Sequence, residues 1–339
     1  MQVDRRKEEL VDWLQKVLKT TNFSCEPASS DASFRRYFRI VVAGKSYVVM
    51  DAPPEKEDCT NFISIATLLN RYGVHAPELF HYSEKQGFLV LSDLGTQCYL
   101  DVLGEQTADL LYAQAVDSLH KMQQIPCSEA NLPAYDEALL TQEIELFSEW
   151  FLVRLLGIKL SPAEENLMSG IHTELVCSAI QQPRVFVHRD FHSRNLMFTQ
   201  QANPGIIDFQ DAVLGPLTYD LVSLFRDCYI AWPDHKIHEW LNNFLNSREE
   251  QGIDDNFEPE QFYQWFDWMG VQRHMKAIGI FSRLLLRDGK PGYLNDIPRT
   301  MLYIEDVCRR YSQLEPMVEL LSRHDVTQKI NRLLKKSAV

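Results

Sequence analysis

The stretch VFVHRDFHSRNLMF, residues 185 to 198, constrains this chain more than any other of its length. Val185 to Val187 and Leu196 to Phe198 are strand-like apolar runs. The HRDFHSRN between them is too polar and too short to be a core element, so it is a loop held at both ends. Downstream, GIIDFQD (205 to 211) presents Asp208 directly after two β-branched residues, at the end of a partner strand. The fold must therefore bring Asp190, Asn195 and Asp208 to adjoining strand ends.

The pattern on the N-terminal side is short strands. Leu10, Val11, Leu14, Val17 and Leu18 recur at helical spacing in a segment charged from its start, which reads as an amphipathic helix and not a signal peptide. FRRYFRIVV (34 to 42) and SYVVMD (46 to 51) form a hairpin about AGK, and Pro53-Pro54 stops its second strand. NFISIATLLNRYGV is a helix ending near Gly73, followed by strands in ELFHYS and QGFLVLSDLG. From about residue 97 the pattern changes to long helices, at 108 to 125, 138 to 157 and 261 to 289, with strand character left only around VFVH and GIIDF.

A chain of 339 residues exceeds what one core usually holds. The expected class is α+β with two lobes: residues 1–93, small and β-rich, and residues 94–339, larger, mainly helical and holding one β-hairpin, with a hinge near 91–96. A net charge of −13 argues against a nucleic-acid partner, since phosphate neutralisation needs a concentrated basic surface. No apolar run approaches the ~20 residues that cross a bilayer, so no membrane role is expected. The seven cysteines, an odd number without a CxxC pair, read as reduced thiols in a cytoplasmic protein.

Two carboxylates and an amide at adjoining strand ends suit phosphoryl transfer, which needs positioning and charge neutralisation more than covalent chemistry. One carboxylate takes the proton of the acceptor hydroxyl, and the other binds magnesium with a carboxamide oxygen. The pattern H-R-D-x-x-x-x-N is met by His188, Arg189, Asp190 and Asn195, and the second acid follows in Asp208-Phe209.

With IIDFQDAVLGPLTYDLVSLFRDCY, these residues resemble the aminoglycoside phosphotransferase-type small-molecule kinases, relatives of the protein kinases. The tracts QDAVLGPLTYDLVSLFRDCY, GVQRHMKAIGIFSRLLLRDGKPGYL and SYVVMDAPP are most similar to the N-acetylmuramate/N-acetylglucosamine anomeric kinases of bacterial cell-wall recycling. The resemblance spans nearly the whole chain and implies a protein-kinase-like two-lobed fold using ATP and Mg2+. It makes Asp190 the catalytic base, Asn195 and Asp208 the metal ligands, and His188 a structural residue of the loop. Asp220, in TYDL, corresponds to a buried acid that holds the loop backbone; from its neighbours alone the rival reading is an exposed helix N-cap. The implied product is a sugar 1-phosphate, the form that a downstream nucleotidyltransferase accepts. Rival readings are a kinase for an aminoglycoside, choline or homoserine, and a nucleotide-binding pseudokinase.

The chain departs from protein kinases at the phosphate site. The segment PASSDASFRRYF, read as a loop before the first strand, has no Gly, and V-V-M-D puts Asp51 where the strand Lys falls. Neither does the following helix carry a Glu to pair with such a Lys. Ser29, Ser30, Ser33 and their amides are candidates to cradle phosphate, with Arg35 or Arg36 as the cation; strand alternation lets only one of the two face the cleft. Backbone around Ser92, Asp93 and Leu94 is the candidate adenine site, walled by Val49 and Phe88.

For the acceptor, Arg273, Lys276, Arg283 and Arg287 form a basic stripe interrupted by Ile280, with His274, Ile278, Phe281 and Leu285 beside it. Such a stripe suits a sugar acid's carboxylate and not a polycation. His192 and Arg194 are further candidates for contact with the acceptor or the γ-phosphate, and the aromatics from Phe262 to Trp268 for a stacking surface or for core.

Overall fold

The computed structural model describes residues 4–30, 34–253 and 256–337. In chain order its elements begin with α1 (Arg5–Leu18), β1 (Ser24–Ser30), β2 (Arg36–Val42), β3 (Lys45–Asp51), α2 (Thr60–Arg71), β4 (Leu79–Ser83) and β5 (Phe88–Ser92). They continue with α3 (Tyr99–Val102), α4 (Ala108–Gln123), α5 (Cys127–Ala130), α6 (Glu137–Leu146), a π-helical segment (Phe147–Leu155) and α7 (Pro162–Gln181). Next come β6 (Arg184–Val187), β7 (Leu196–Met197), β8 (Gly205–Ile206), β9 (Val213–Pro216), α8 (Tyr219–Phe225), α9 (Asp234–Glu250) and α10 (Pro259–Asp288). A 3-10 turn (Pro291–Asp296), α11 (Ile297–Cys308), α12 (Glu315–Arg323) and α13 (Val326–Ser337) close the chain. Two compact units result, Met1–Gly104 with Arg194–Asp211, and Glu105–Ser193 with Ala212–Val339. The first thus takes in more of the chain than the expected small lobe, residues 1–93.

The first unit is built on an antiparallel sheet in the order β1-β2-β3-β5-β4. The β2–β3 hairpin is as expected, and its turn is Ala43-Gly44 with φ of 48° and 80°, the left-handed pair that matches strand twist. β1 is a correction. Residues 27–30, read as loop, belong to this strand, which pairs with β2 and accommodates Pro27 through an irregularity between Pro27 and Ser29. The sheet buries Phe38, Ile40, Val49, Phe88 and Val90 against Leu10, Trp13 and Leu14 of α1. Val49 and Phe88, the candidate adenine walls, are thus part of this core.

Asp51, which stands where a protein kinase has its strand Lys, is itself ion-paired. It is fully buried at the end of β3 and accepts from Arg6 Nε at 2.6 Å and from Arg36 Nε and Nη2 at 2.9 and 2.6 Å. The acid in the Lys position thereby ties α1 and β2 to the sheet. Its charge is balanced where it lies.

The second unit is mainly helical and contains one two-stranded sheet, β6 paired with β9; the other short pair, β7 with β8, belongs to the first unit. At its centre runs α10, opened by Pro259 and stopped by Gly289 at φ 64°. Phe262, Trp265, Phe266 and Trp268 are buried along it, so this aromatic run is core. The expected helix 138 to 157 changes at Leu146 from α to π winding. At that point a Cβ on Gly279 would lie 2.5 Å from the Leu146 carbonyl carbon and 2.7 Å from its oxygen. Backbone offers no side-chain escape, so Gly279→Ala is expected to cost about 2 kcal/mol, as overpacking does, and to lower the thermal midpoint. An unchanged midpoint would mean that α10 and α6 can separate.

Candidate active site

In the second unit, the buried strand β6 delivers the chain to His188, and the loop that follows hangs between two carboxylates. Asp220, in the first turn of α8, is 1 % exposed; its Oδ2 accepts from His188 N at 2.7 Å and its Oδ1 from Arg189 N at 3.0 Å. It is therefore no exposed cap. Asp227 takes the other end, accepting from Ser193 N at 2.9 Å and from Tyr229 N at 2.9 Å. Between them Arg189 is held at φ 77°, a left-handed conformation that costs a non-glycine residue about 1 kcal/mol or more. His188 Nδ1 accepts from Asp190 N at 3.2 Å, in keeping with a structural role.

Charge is organised around Glu143, a buried residue of α6. Its carboxylate pairs with Arg189, accepts from Tyr135 Oη, and lies 3.1 Å from Lys276 Nζ, which in turn donates to Tyr219 Oη at 3.0 Å. Burial alone would push the Asp190 carboxyl up, but Lys276, His192, Arg273 and His188 together hold it below the ordinary carboxylate value. Burial pushes the Asp220 carboxyl up to about 7 against its two N–H bonds.

Asp190 opens on a cavity of about 220 Å³ lined by His192, Tyr219, Cys228, Tyr229, Arg273, Lys276, Ala277, Ile280, Phe281, Leu284 and Tyr293. Of the expected acceptor residues, His192, Arg273 and Lys276 line it. Ile280, read as an interruption of the basic stripe, lies on the cavity side, whereas Arg283 is only half-buried and Arg287 is exposed and paired with Asp288. His274 is a correction: it is 1 % exposed, stacks on Tyr303 at 4.9 Å, and bonds the Arg226 carbonyl through Nε2 at 2.8 Å. One step along a helix turns a side chain ~100° away, which takes His274 off the cavity and into the core.

Burial lowers the His274 pKa to about 3, so the folded protein keeps it neutral. In the unfolded chain it takes a proton below ~6.5, so its contribution to stability is full above that pH and lost as pH falls. The loss reaches about 2 kcal/mol at pH 5. Asp220 has the opposite sign, since its raised pKa makes stability fall as pH rises from ~3.8 towards 7. His274→Gln is therefore expected to flatten the acid-side loss of thermal midpoint relative to wild type between pH 7 and 5; parallel profiles would refute the assignment.

In the first unit, the β7–β8 pair places Asn195 and Asp208 in contact, Asn195 Nδ2 donating to Asp208 Oδ2 at 3.3 Å and Gln210 Nε2 to Oδ1 at 2.8 Å. Asp208 has φ 66°, and the next residue, Phe209, is fully buried on Phe62 of α2 at 4.9 Å between ring centroids. A carboxylate with a carboxamide is a hard-oxygen donor set of the kind magnesium takes alongside phosphate oxygens, so these residues fit that ion. Arg35 pairs with Glu57 at 3.0 Å, and Asp208 also supports its charge. Arg36 turns instead to Asp51 and Asp4, so of the two candidates it is Arg35 that faces the acids of this site.

Ser29 and Ser30 stand in β1 opposite Tyr37 and Arg36, and Ser33 lies outside the described residues. Ser92 Oγ accepts from Glu78 N at 2.9 Å, Asp93 is bound to Arg39 and to Ser46, and Leu94 is buried against Gly205. Arg194 is exposed. Sequence reasoning passed over Glu143 and Tyr135. The signal for Glu143 was an acid on the face that carries Leu140, Ile144 and Phe147.

Residues 24–259 match the phosphotransferase enzyme family (APH). The chain is 45 % identical over 329 residues to the N-acetylmuramate/N-acetylglucosamine kinase of Pseudomonas putida, covering 94 % of this chain and 96 % of that one. It is 48 % identical over 296 residues to the protein of the same name from Pseudomonas aeruginosa, covering 87 % of each. Among solved structures it is similar to the GDP complex of aminoglycoside 2'-phosphotransferase-IIIa, with a TM-score of 0.61 at 16 % identity over 90 % of this chain and 99 % of that one, a likeness of fold. No helix among the described residues is long and apolar enough to cross a membrane. With a family match over more than half its length, and a relative 45 % identical over 94 % of it, the chain belongs to the phosphotransferase enzyme family.

Proposed function

We propose that the protein uses Mg–ATP to phosphorylate the anomeric hydroxyl of N-acetylmuramate or N-acetylglucosamine. The observation that carries this reading is the cavity: Asp190 is the sole carboxylate among its lining residues, beside two cations and the rings of Tyr219, Tyr229, Phe281 and Tyr293. Such a lining suits a neutral or acidic sugar and repels an aminoglycoside polycation. The names of the relatives support the amino sugar.

In this reading Asp190 orients the hydroxyl and takes its proton, with Asp220 and Asp227 fixing the loop backbone. An anomeric hydroxyl is more acidic than an ordinary alcohol, so a carboxylate held below its ordinary pKa suffices as base. Asn195 and Asp208 would hold the magnesium ion, which when bound supplies neutralisation of the phosphate charge. Ser29, Ser30, Ser33 and Arg35 meet the nucleotide phosphates, and residues 92–94 its base. The expected setting is the cytoplasm, with the sugar 1-phosphate passing to a nucleotidyltransferase in cell-wall recycling.

The test is ADP release with Mg–ATP across N-acetylmuramate, N-acetylglucosamine, kanamycin, choline and homoserine, with the phosphorus spectrum of each product. A sugar 1-phosphate is expected. Turnover of kanamycin, choline or homoserine alone would sink the amino-sugar reading, and phosphate on another hydroxyl would correct the position.

A further inference from the structure

We infer that Arg273 makes the acceptor cavity prefer a monosaccharide bearing a carboxylate over its neutral counterpart, an inference that rests on the amino-sugar reading. The cations around Asp190 are not equivalent. Arg189 and Lys276 share Glu143, and Lys276 also has the Tyr219 hydroxyl. Arg273 is 5 % exposed and forms no ion pair within 4 Å among the described residues. Its Nε has no hydrogen-bond partner, and its Nη1 reaches only the weak acceptor Cys228 Sγ, at 3.9 Å. Asp190 and Asp227 support its charge from beyond that distance, and its guanidinium lies over the Tyr219 ring at 5.9 Å from the centroid.

A buried guanidinium with an unmet donor at a cavity wall calls for an anion inside the cavity, because its present support comes only from the Tyr219 ring and from charges beyond hydrogen-bonding distance. Its planar fork matches a carboxylate through two parallel hydrogen bonds. The two sugars in the relatives' names differ at this point of chemistry: N-acetylmuramate carries a lactyl carboxylate that N-acetylglucosamine lacks. The carboxylate goes to Arg273 while the reacting hydroxyl goes to Asp190, both of which line the same cavity. Lys276, already matched to Glu143, contributes less to the choice.

The experiment compares kcat/KM for N-acetylmuramate and N-acetylglucosamine in wild type, Arg273→Met, Arg273→Lys and Lys276→Met. The acid-to-neutral ratio is expected to fall about 30-fold or more in Arg273→Met, as when one partner of a buried charge pair is removed. In Arg273→Lys, which keeps the charge and loses the fork, it falls less; this variant carries the test if the Met variant does not fold. Equal losses on both sugars would assign Arg273 to the transferred phosphate and overturn the inference, as would a fall just as large in Lys276→Met. If wild type phosphorylates neither sugar, the amino-sugar reading fails, and carboxylate preference is read from calorimetric binding of glucuronate against glucose. Tighter glucuronate binding that Arg273→Met removes would uphold the role of Arg273, and equal binding of the two in wild type would end it.

Discussion

Asp190→Asn is expected to lower kcat by about 10²- to 10⁴-fold, the range in which positioned proton transfer contributes, with little change in the acceptor KM. Asn keeps the size of the side chain and most of its contacts in the loop but takes no proton. The surrounding cations hold Asp190 ionised across neutral pH, so wild-type activity is expected to show no acid limb from this group near pH 6. Single-turnover phosphorylation of N-acetylglucosamine, with the thermal midpoint recorded in parallel, makes the check. A variant that kept a tenth of the wild-type rate would show that Asp190 orients the acceptor without serving as its base.

Asp220→Ala is expected to cost about 4 kcal/mol of stability and to lower kcat at least 100-fold, with nucleotide affinity little affected. Each of the two loop N–H groups it satisfies is then buried and unmet, at about 1–3 kcal/mol apiece, and a small void is added. The same two bonds hold Arg189 in its left-handed conformation. Without them the loop relaxes towards ordinary backbone angles and carries Asp190 out of place. Denaturant melts and ATP binding by calorimetry separate the effects. A variant with normal kcat would mean that the Asp227 end alone suffices to position the loop.

The parts of the fold that could be read from sequence were those in which local pattern and long-range pairing agree. β2 and β3 are rich in β-branched and aromatic residues and meet at a Gly-containing turn, so both strands were open to inspection, although the turn is one residue shorter than AGK and Lys45 pairs with Val42. β1 was not legible, because Pro27 and its serines look like loop and only the irregularity opposite Tyr37 reconciles them with a ladder. β9, VLGP, was hidden by its own glycine and proline. Asp190, Asn195, Asp208 and Asp220 stood out as polar groups set among apolar neighbours. Glu143 and Asp227 did not, since their importance lies in distant partners, Ser193, Arg189 and Lys276, 34 to 133 positions away, and in no motif of their own. The split between Arg273 and His274, adjacent and both polar, depended on which one α10 turns to the cavity.

The way the first unit is threaded has a consequence for its making. Its β7–β8 pair comes from residues that follow Ser193, yet Ile206 N bonds the His75 carbonyl at 2.7 Å, Phe198 N the Gln97 carbonyl at 2.9 Å, and Phe209 fills the space on Phe62. On a ribosome, the sheet of the first ninety or so residues emerges long before the segment that completes it. The nascent sheet must therefore wait, with Phe62 uncovered, while all of Glu105–Ser193 is made. Completion of the first unit is in this sense a late event of synthesis.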